Sequence, residues 1–203
     1  MKKLPKKIDI CGVEHEVLFP YEFLDKDYLG LYERYQLRIK VSGKYYGVDR
    51  PWLRIIETFI HEILHGIDFI MCDGKFNHDV INSLSYGWMS VLSKNNLFGA
   101  GIPKKVHING FVYDVKYPFV FPDDDTILSQ VVNHLLVIRI AGNDSVEKFH
   151  VEFVRQHLIQ RITNAIIFNY LHKDEPDNED LTTLSSGIYQ TFRKIDWNKI
   201  VKG

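Results

Sequence analysis

The residue pattern with the clearest chemical meaning is His61-Glu62-Ile63-Leu64-His65. Residues four apart on an α-helix differ by roughly 40° in azimuth, so His61 and His65 are expected to project side by side. Two imidazoles at that separation can occupy two corners of a tetrahedral zinc site, and Glu62 can reach a water beside the metal as a general base. The pattern therefore predicts zinc-dependent hydrolysis. The alternative left open is a pair of histidines that only packs on a helix.

A catalytic zinc site also needs a third protein ligand and one open position. We expect Asp79, at the start of the following helix, to be this ligand, with His78 beside it as an alternative or supporting residue. Asp68 and Glu57, on the first helix, are expected to accept an imidazole N–H and fix its tautomer. Asp79 also suits a helix start without any metal, because an acid in the first turn is favourable there.

Several elements must position these residues. Residues 8–18 alternate around a Gly-containing turn and predict a β-hairpin. Leu37–Val41 alternates with period two and is expected to be the edge strand that pairs with an extended peptide. The apolar spacing changes to a helical period after Pro51, and a second helix is predicted from about Asp79 to Asn95. Tyr45, Tyr46 and Tyr86 are equal candidates for an oxyanion donor.

The sequence also repeats itself. Leu4–Gly12 recurs as Ile102–Gly110 at an offset of 98 residues, and Ser83–Gly87 recurs as Thr183–Gly187 at an offset of 100. The first predicted helix aligns at an intermediate position, with an offset of 95. Three blocks in the same order predict a tandem duplication, because a unit of roughly 100 residues is a normal domain size.

The second copy has lost the chemical pattern. The repeat places Gln156, His157 and Gln160 opposite His61, Glu62 and His65, and amides are poor zinc ligands. We therefore predict an α+β protein of two units, residues 1–98 and 99–203. Each unit has a hairpin, an edge strand and two helices, and the second is degenerate and pairs with the first. The acidic stretch at residues 174–180 is either a solvated loop or a partner site.

Residues 4–97 resemble the short zincin-like proteins common in phage genomes, which are relatives of minimal gluzincin metallopeptidases. The most specific part of the resemblance is residues 58–69, which contain Phe-Ile-His-Glu-Ile-Leu-His-Gly-Ile-Asp, and Leu-Ser-x-Gly follows on the next helix. The resemblance implies Zn²⁺-dependent hydrolysis of a peptide or protein substrate. It departs at Asp79, where that family usually carries glutamate. The rival hypothesis is a non-enzymatic phage or host-interaction protein with a vestigial or structural zinc site.

The composition limits the remaining classes of function. Of 203 residues, 45% are hydrophobic, and 25 Lys and Arg balance 26 Asp and Glu, which argues against a nucleic-acid binder. The apolar runs are far shorter than the ~18–20 residues of a membrane span. No apolar segment follows the basic N-terminus, so we expect no secretory signal. Two cysteines, Cys11 and Cys72, fit a reducing compartment, and we expect a cytoplasmic protein.

Overall fold

The computed structural model of this chain describes residues 2–122, 124, 126–143, 147–171 and 178–202. Helices and sheets form two sheet-plus-helix units, which confirms the predicted α+β class. Most of the acidic stretch singled out in the sequence, residues 174–177, lies outside the described residues. No helix in the described ranges combines the length and the apolar character needed to cross a membrane.

The first unit is a four-stranded sheet followed by two long helices. Its main elements are β1 (Lys7–Ile10), β2 (Val13–Leu18), β3 (Gly30–Glu33), β4 (Arg38–Val41), α1 (Trp52–Cys72) and α2 (His78–Lys94). A short ribbon of β5 (Lys44–Tyr45) and β6 (Val48–Asp49) precedes α1. The sheet has the order β1-β2-β4-β3, in which β2 and β4 are parallel and the other pairs are antiparallel.

The edge of this sheet is not the strand that the sequence predicts. The predicted edge strand, Leu37–Val41, corresponds to β4, which lies between β2 and β3 and is paired on both sides. The edges are β1 and β3, and the edge strand that lies against α1 beside Glu62 is β3, Gly30–Glu33, which sequence reasoning missed. All four of its residues are half-buried, so the strand has no alternation of buried and exposed positions that could reveal it.

The ends of α1 and α2 follow local rules. Pro51 precedes the first turn of α1, and no side chain caps that end. Asp73 ends α1 in the left-handed conformation, with φ of 57°. The Asn77 side chain accepts a hydrogen bond from the backbone N–H of Val80 at 3.0 Å and so fixes the start of α2. The turn between the helices therefore has a defined geometry at both ends.

The second unit repeats the first in topology. It contains β7 (Lys105–Ile108), β8 (Phe111–Phe119), β9 (Ser129–Val132), η1 (Asn133–Leu135), β10 (Val137–Ala141), α3 (Val151–Tyr170), α4 (Asn178–Phe192) and α5 (Trp197–Lys202). The sheet order is β7-β8-β10-β9, with β8 and β10 parallel, as in the first unit. The hairpin turns agree in detail: Cys11-Gly12 has φ values of 49° and 91°, and Asn109-Gly110 has 50° and 89°.

The helices of the two units pack against each other. α1 contacts α2 and α4, and α3 contacts α4 and α2, so each first helix touches both second helices. Two glycines permit the close approach: a Cβ at Gly87 would overlap Ile166, and a Cβ at Gly187 would overlap Ile67. The buried apolar residues of both units form one continuous core cluster. The first helix of each unit, α1 or α3, is therefore held in place partly by the other unit.

Candidate metal centre

Three histidines converge at the junction of α1 and α2. His61 and His65 come from the middle of α1, and His78 is the first residue of α2. Their ligand nitrogens lie within 4.8 Å of one another. The Nε2 atoms of His61 and His65 are 3.0 Å apart, and the ring of His78 is centred 4.9 Å from that of His61. The arrangement predicted from the i, i+4 spacing is therefore present, with a third imidazole added.

The third residue of this group is His78, whereas the sequence predicts Asp79 as the ligand. Because Asn77 is the N-cap, His78 is the first helical residue, and Asp79 is turned away from it by roughly 100°. Asp79 is neither in the histidine group nor among the cleft-lining residues of the described chain. The signal that would have found His78 is Asn77, a preferred N-cap residue that fixes where α2 begins.

The ring of His78 has a neighbour that orients it. Its Nδ1 lies 3.0 Å from the side-chain amide of Asn82, one turn further along α2. This contact leaves Nε2 as the nitrogen available for a cation. A hydrogen-bonding partner on the second ring nitrogen is the usual way in which a protein fixes the orientation of a metal-binding histidine.

Glu62 is buried between α1 and the edge strand β3. Its side chain is 6% exposed, and its carboxylate accepts a hydrogen bond from the backbone N–H of Tyr32. A Cβ at Gly30 would overlap Glu62 Oε1, so the strand can approach the carboxylate only because Gly30 has no side chain. Burial raises the pKa of Glu62 to about 8, with the Tyr32 N–H acting in the opposite direction.

Burial also favours the neutral forms of the two histidines on α1, His61 and His65. It lowers the pKa of His61 to about 3, with smaller contributions from the neighbouring His65 and His78. The pKa of His65 is lowered for the same reasons, burial first and His78 second. A neutral imidazole is the form that binds a metal ion, so His61 and His65 do not have to lose protons near neutral pH before a cation enters.

The two carboxylates expected to support the imidazoles have other partners. Asp68 lines the cleft, and its Oδ1 accepts a hydrogen bond from the backbone N–H of Phe76 at 3.3 Å. Glu57 is buried and accepts a hydrogen bond from Ser85 Oγ at 2.9 Å, which ties α1 to α2. In the hydrogen bonds of the described chain, both residues therefore stabilise the helix pair and its loop, and neither contacts a histidine ring.

The histidines open into a cleft of about 420 Å³ between β3, α1 and the start of α2. The lining residues are Gly30, Leu31, Tyr32, Arg34, His61, Glu62, His65, Asp68, Phe69, Gly74, Phe76 and His78. Tyr45, Tyr46 and Tyr86, the expected oxyanion donors, are not among them, whereas Tyr32 is. A larger cavity of about 620 Å³ lies between residues 3–14 and 194–200 and has no histidine in its lining.

In the described part of the second unit, the corresponding place has no such group. Gln156 and Gln160 donate hydrogen bonds to Ser186 and Thr182, at 3.0 and 2.6 Å, and so connect α3 to α4. Among the described residues, the three histidines of the first unit form the one group of this kind. The loss of metal-ligand chemistry expected for this copy stays a prediction.

A second contact involves the residue that is aligned with Glu62. His157, aligned with Glu62, has its Nδ1 3.0 Å from Ser129 Oγ. Ser129 begins β9 and pairs with Ile140, just as Gly30 begins β3 and pairs with Val41. In the first unit this position holds the buried Glu62 carboxylate, which lies beside the backbone of Gly30. In the second unit it holds the His157 imidazole, which is hydrogen-bonded to the Ser129 hydroxyl group. The offsets read from the sequence therefore match equivalent positions in the fold.

Comparisons of this chain with protein-family models, with curated proteins and with solved structures find no match. The site is therefore described by its own geometry: three imidazoles, a buried carboxylate and an edge strand that share one open cleft.

Proposed function

We propose that this protein is a zinc-dependent metallopeptidase, with His61, His65 and His78 as the metal ligands and Glu62 as the general base. The observation that carries the proposal is the convergence of three ring nitrogens within 4.8 Å, beside a buried carboxylate and an edge strand. Three protein nitrogens with one open position are a common ligand set of catalytic zinc.

The nitrogens of His61 and His65 are close to the spacing that a zinc ion needs, and the His78 ring, in a group whose ligand atoms lie within 4.8 Å, would move closer to complete it. Zinc–nitrogen bonds of about 2.0–2.1 Å in a tetrahedral arrangement separate two ligand nitrogens by about 3.3 Å. The His61 and His65 Nε2 atoms, 3.0 Å apart, need only a small adjustment to reach that separation. His78 is exposed at the mouth of the cleft, so a side of the site remains open to substrate. A structural zinc would need a fourth protein ligand.

A bound zinc ion would supply Lewis-acid polarisation of the scissile carbonyl and of the attacking water. Glu62 would take the proton of that water and pass it to the leaving amine. Its pKa of about 8 lies near neutral pH, where a general base is most effective, and a neighbouring cation favours its ionised form. The Tyr32 N–H holds the carboxylate in place.

The substrate in this proposal is an extended peptide. β3 is hydrogen-bonded to β4 on one side only, and Gly30, Leu31 and Tyr32 of β3 line the cleft beside Glu62. An edge strand offers main-chain groups with which an extended segment can pair. We infer that the main chain of the peptide pairs with β3. The sequence predicts this pairing at the Leu37–Val41 strand instead.

We further propose a cytoplasmic location and a non-catalytic role for the second unit. Cys11 and Cys72 are both free thiols, as is usual in a reducing compartment. The second unit packs α4 and α3 against α1 and α2 and so covers apolar faces of the helices that carry the site. Its role in this proposal is to support the first unit, much as a second subunit would.

Zinc analysis of the purified chain tests the ligand set. We expect one zinc ion per wild-type chain, none in the His61→Ala/His65→Ala double variant, and a marked loss in His78→Asn. Asp79→Asn is the matched control, since it changes the neighbouring residue, and should keep its zinc. A wild-type chain without zinc would remove the proposal, and zinc lost from Asp79→Asn but not from His78→Asn would reassign the third ligand.

A further inference from the structure

The cleft that holds the three histidines also carries a cation, Arg34. This residue directly follows β3 and lines the cleft together with Phe69. Its guanidinium carbon lies 5.5 Å from the centre of the Phe69 ring and 4.6 Å from that of the Tyr35 ring. Contacts of this kind hold a guanidinium group in place without neutralising its charge.

Arg34 differs from the basic residues of the neighbouring strand. Arg38 pairs with Glu16 at 2.9 Å, and Lys40 pairs with Glu33 at 2.6 Å. Arg34 has no ion pair with a carboxylate in the described part of the chain. It is also the only lysine or arginine in the described lining of the cleft. Its charge is therefore available to an incoming ligand.

The two acids that line the cleft are already occupied by backbone groups. Glu62 accepts the Tyr32 N–H, and Asp68 accepts the Phe76 N–H at 3.3 Å. Neither carboxylate forms an ion pair with Arg34. The cleft thus combines an apolar ring, an edge strand, two carboxylates that accept backbone hydrogen bonds and one guanidinium group without an ion-pair partner.

The position of Arg34 can be related to the metal centre through α1. Phe69, beneath the guanidinium, is one helical turn beyond His65, and it lies about 9 Å along the helix axis from the midpoint of His61 and His65. An extended peptide covers that length in about three residues. Arg34 is therefore within reach of a group close to the bond that the proposed centre would cleave.

We propose that Arg34 is a specificity-determining residue, and that it selects peptides with a carboxylate within about three residues of the cleaved bond. The carboxylate is either an Asp or Glu side chain or the C-terminus of the peptide. A guanidinium group binds such a group through two parallel N–H···O hydrogen bonds, which an ammonium group cannot reproduce. This inference rests on the proposed peptidase function.

Peptide binding to the full chain carrying Glu62→Gln, which prevents turnover, tests the inference. The probes are fluorescein-labelled, C-terminally amidated octapeptides of Ala and Leu, with one Glu at successive positions or Gln in its place. One further Gln peptide ends in a free carboxylate. We expect the preferred carboxylate peptide to bind about tenfold more tightly than its neutral twin, since a hydrogen bond to a charged group is worth at least that factor.

The variants assign this preference to Arg34. We expect Arg34→Gln to abolish it, Arg34→Lys to retain part of it, and Arg38→Gln, a nearby arginine outside the cleft, to leave it unchanged. A preference for internal Glu identifies an acidic side chain as the ligand, and a preference for the free acid alone identifies the peptide C-terminus. Equal affinities for all peptides, or a preference that survives in Arg34→Gln, would overturn the inference.

The inference and the proposed function fail in different ways. A chain without zinc that still binds carboxylate peptides through Arg34 would remove the peptidase and keep the anion-binding residue. A zinc-containing chain that hydrolyses acidic and neutral peptides equally well would keep the peptidase and remove the role of Arg34.

Discussion

At the scale of single residues, the burial and the hydrogen-bond partners of each imidazole or carboxylate depend on the strand or helix start that lies beside it. Glu62 is buried against Gly30, and its aligned partner His157 is hydrogen-bonded to Ser129. The pair His61 and His65 follows from local helix geometry, so the sequence alone predicts it. The position of the third histidine depends on where α2 begins, and the sequence therefore favours Asp79 over His78. The partners of Glu57 and Asp68 depend on tertiary packing, so their hydrogen bonds could not be predicted from the sequence.

His157→Gln is expected to make the protein less sensitive to acid. Burial, with a smaller contribution from Arg161, lowers the pKa of His157 to about 4, whereas an unfolded histidine titrates near 6.5. Between these values the unfolded chain binds a proton that the folded chain does not, so this residue makes stability fall as the pH drops from about 6.5 to about 4. Gln retains a group that can bond Ser129 but cannot titrate.

Urea unfolding near neutral pH and at about pH 5 measures this difference. The free energy of unfolding should fall less on acidification in His157→Gln than in the wild type. The exposed residue His134, changed to Gln, serves as the control and should behave like the wild type. An equal loss of stability in His157→Gln and wild type would show that this histidine is not held in its neutral form.

At the scale of elements, the helices of the two units meet through glycines. Gly87 on α2 receives Ile166 of α3, and Gly187 on α4 receives Ile67 of α1. A glycine at each crossing brings the backbones close, and the two contacts are related by the internal repeat. The turn between α1 and α2, which positions His78, is therefore stabilised in part by packing between the units.

Gly87→Ala is expected to destabilise the protein by about 1–3 kcal/mol, because the added methyl group would overlap Ile166 in a fully packed interior. In an Ile166→Ala background the same Gly87→Ala change should cost less, since the overlapping atoms are gone. A urea double-mutant cycle gives the coupling between the two positions. Additive effects of the two substitutions would contradict the close contact between α2 and α3.

The sequence predicts some of these elements better than others. The hairpin, both helices of the first unit and the repeat are predicted because turn residues, helical spacing and self-similarity are local signals. β3 is missed because its four half-buried residues lack alternation, and the edge is then assigned to β4. The crossing glycines are present in the repeated Ser83–Gly87 block, but their contact with the opposite unit depends on the tertiary fold.

At the scale of the whole molecule, two copies of one topology share a core, and the three-histidine group lies in the first copy. The second copy places glutamines and a histidine where the first has two histidines and a glutamate, and its helices pack against those that carry the site. We propose that the duplicated fold uses one unit for chemistry and the other for support.

The hydrolysis rate of the Glu62→Gln variant tests most directly the proposed role of Glu62 as the base of a zinc peptidase. Cleavage of internally quenched peptides, with and without acidic residues, is measured beside the zinc content of the same samples. We expect the wild type and the variant to carry equal zinc, and the variant to cleave at least about 100-fold more slowly, the usual minimum contribution of a general base. A zinc-loaded Glu62→Gln protein that cleaves as fast as the wild type would contradict the account.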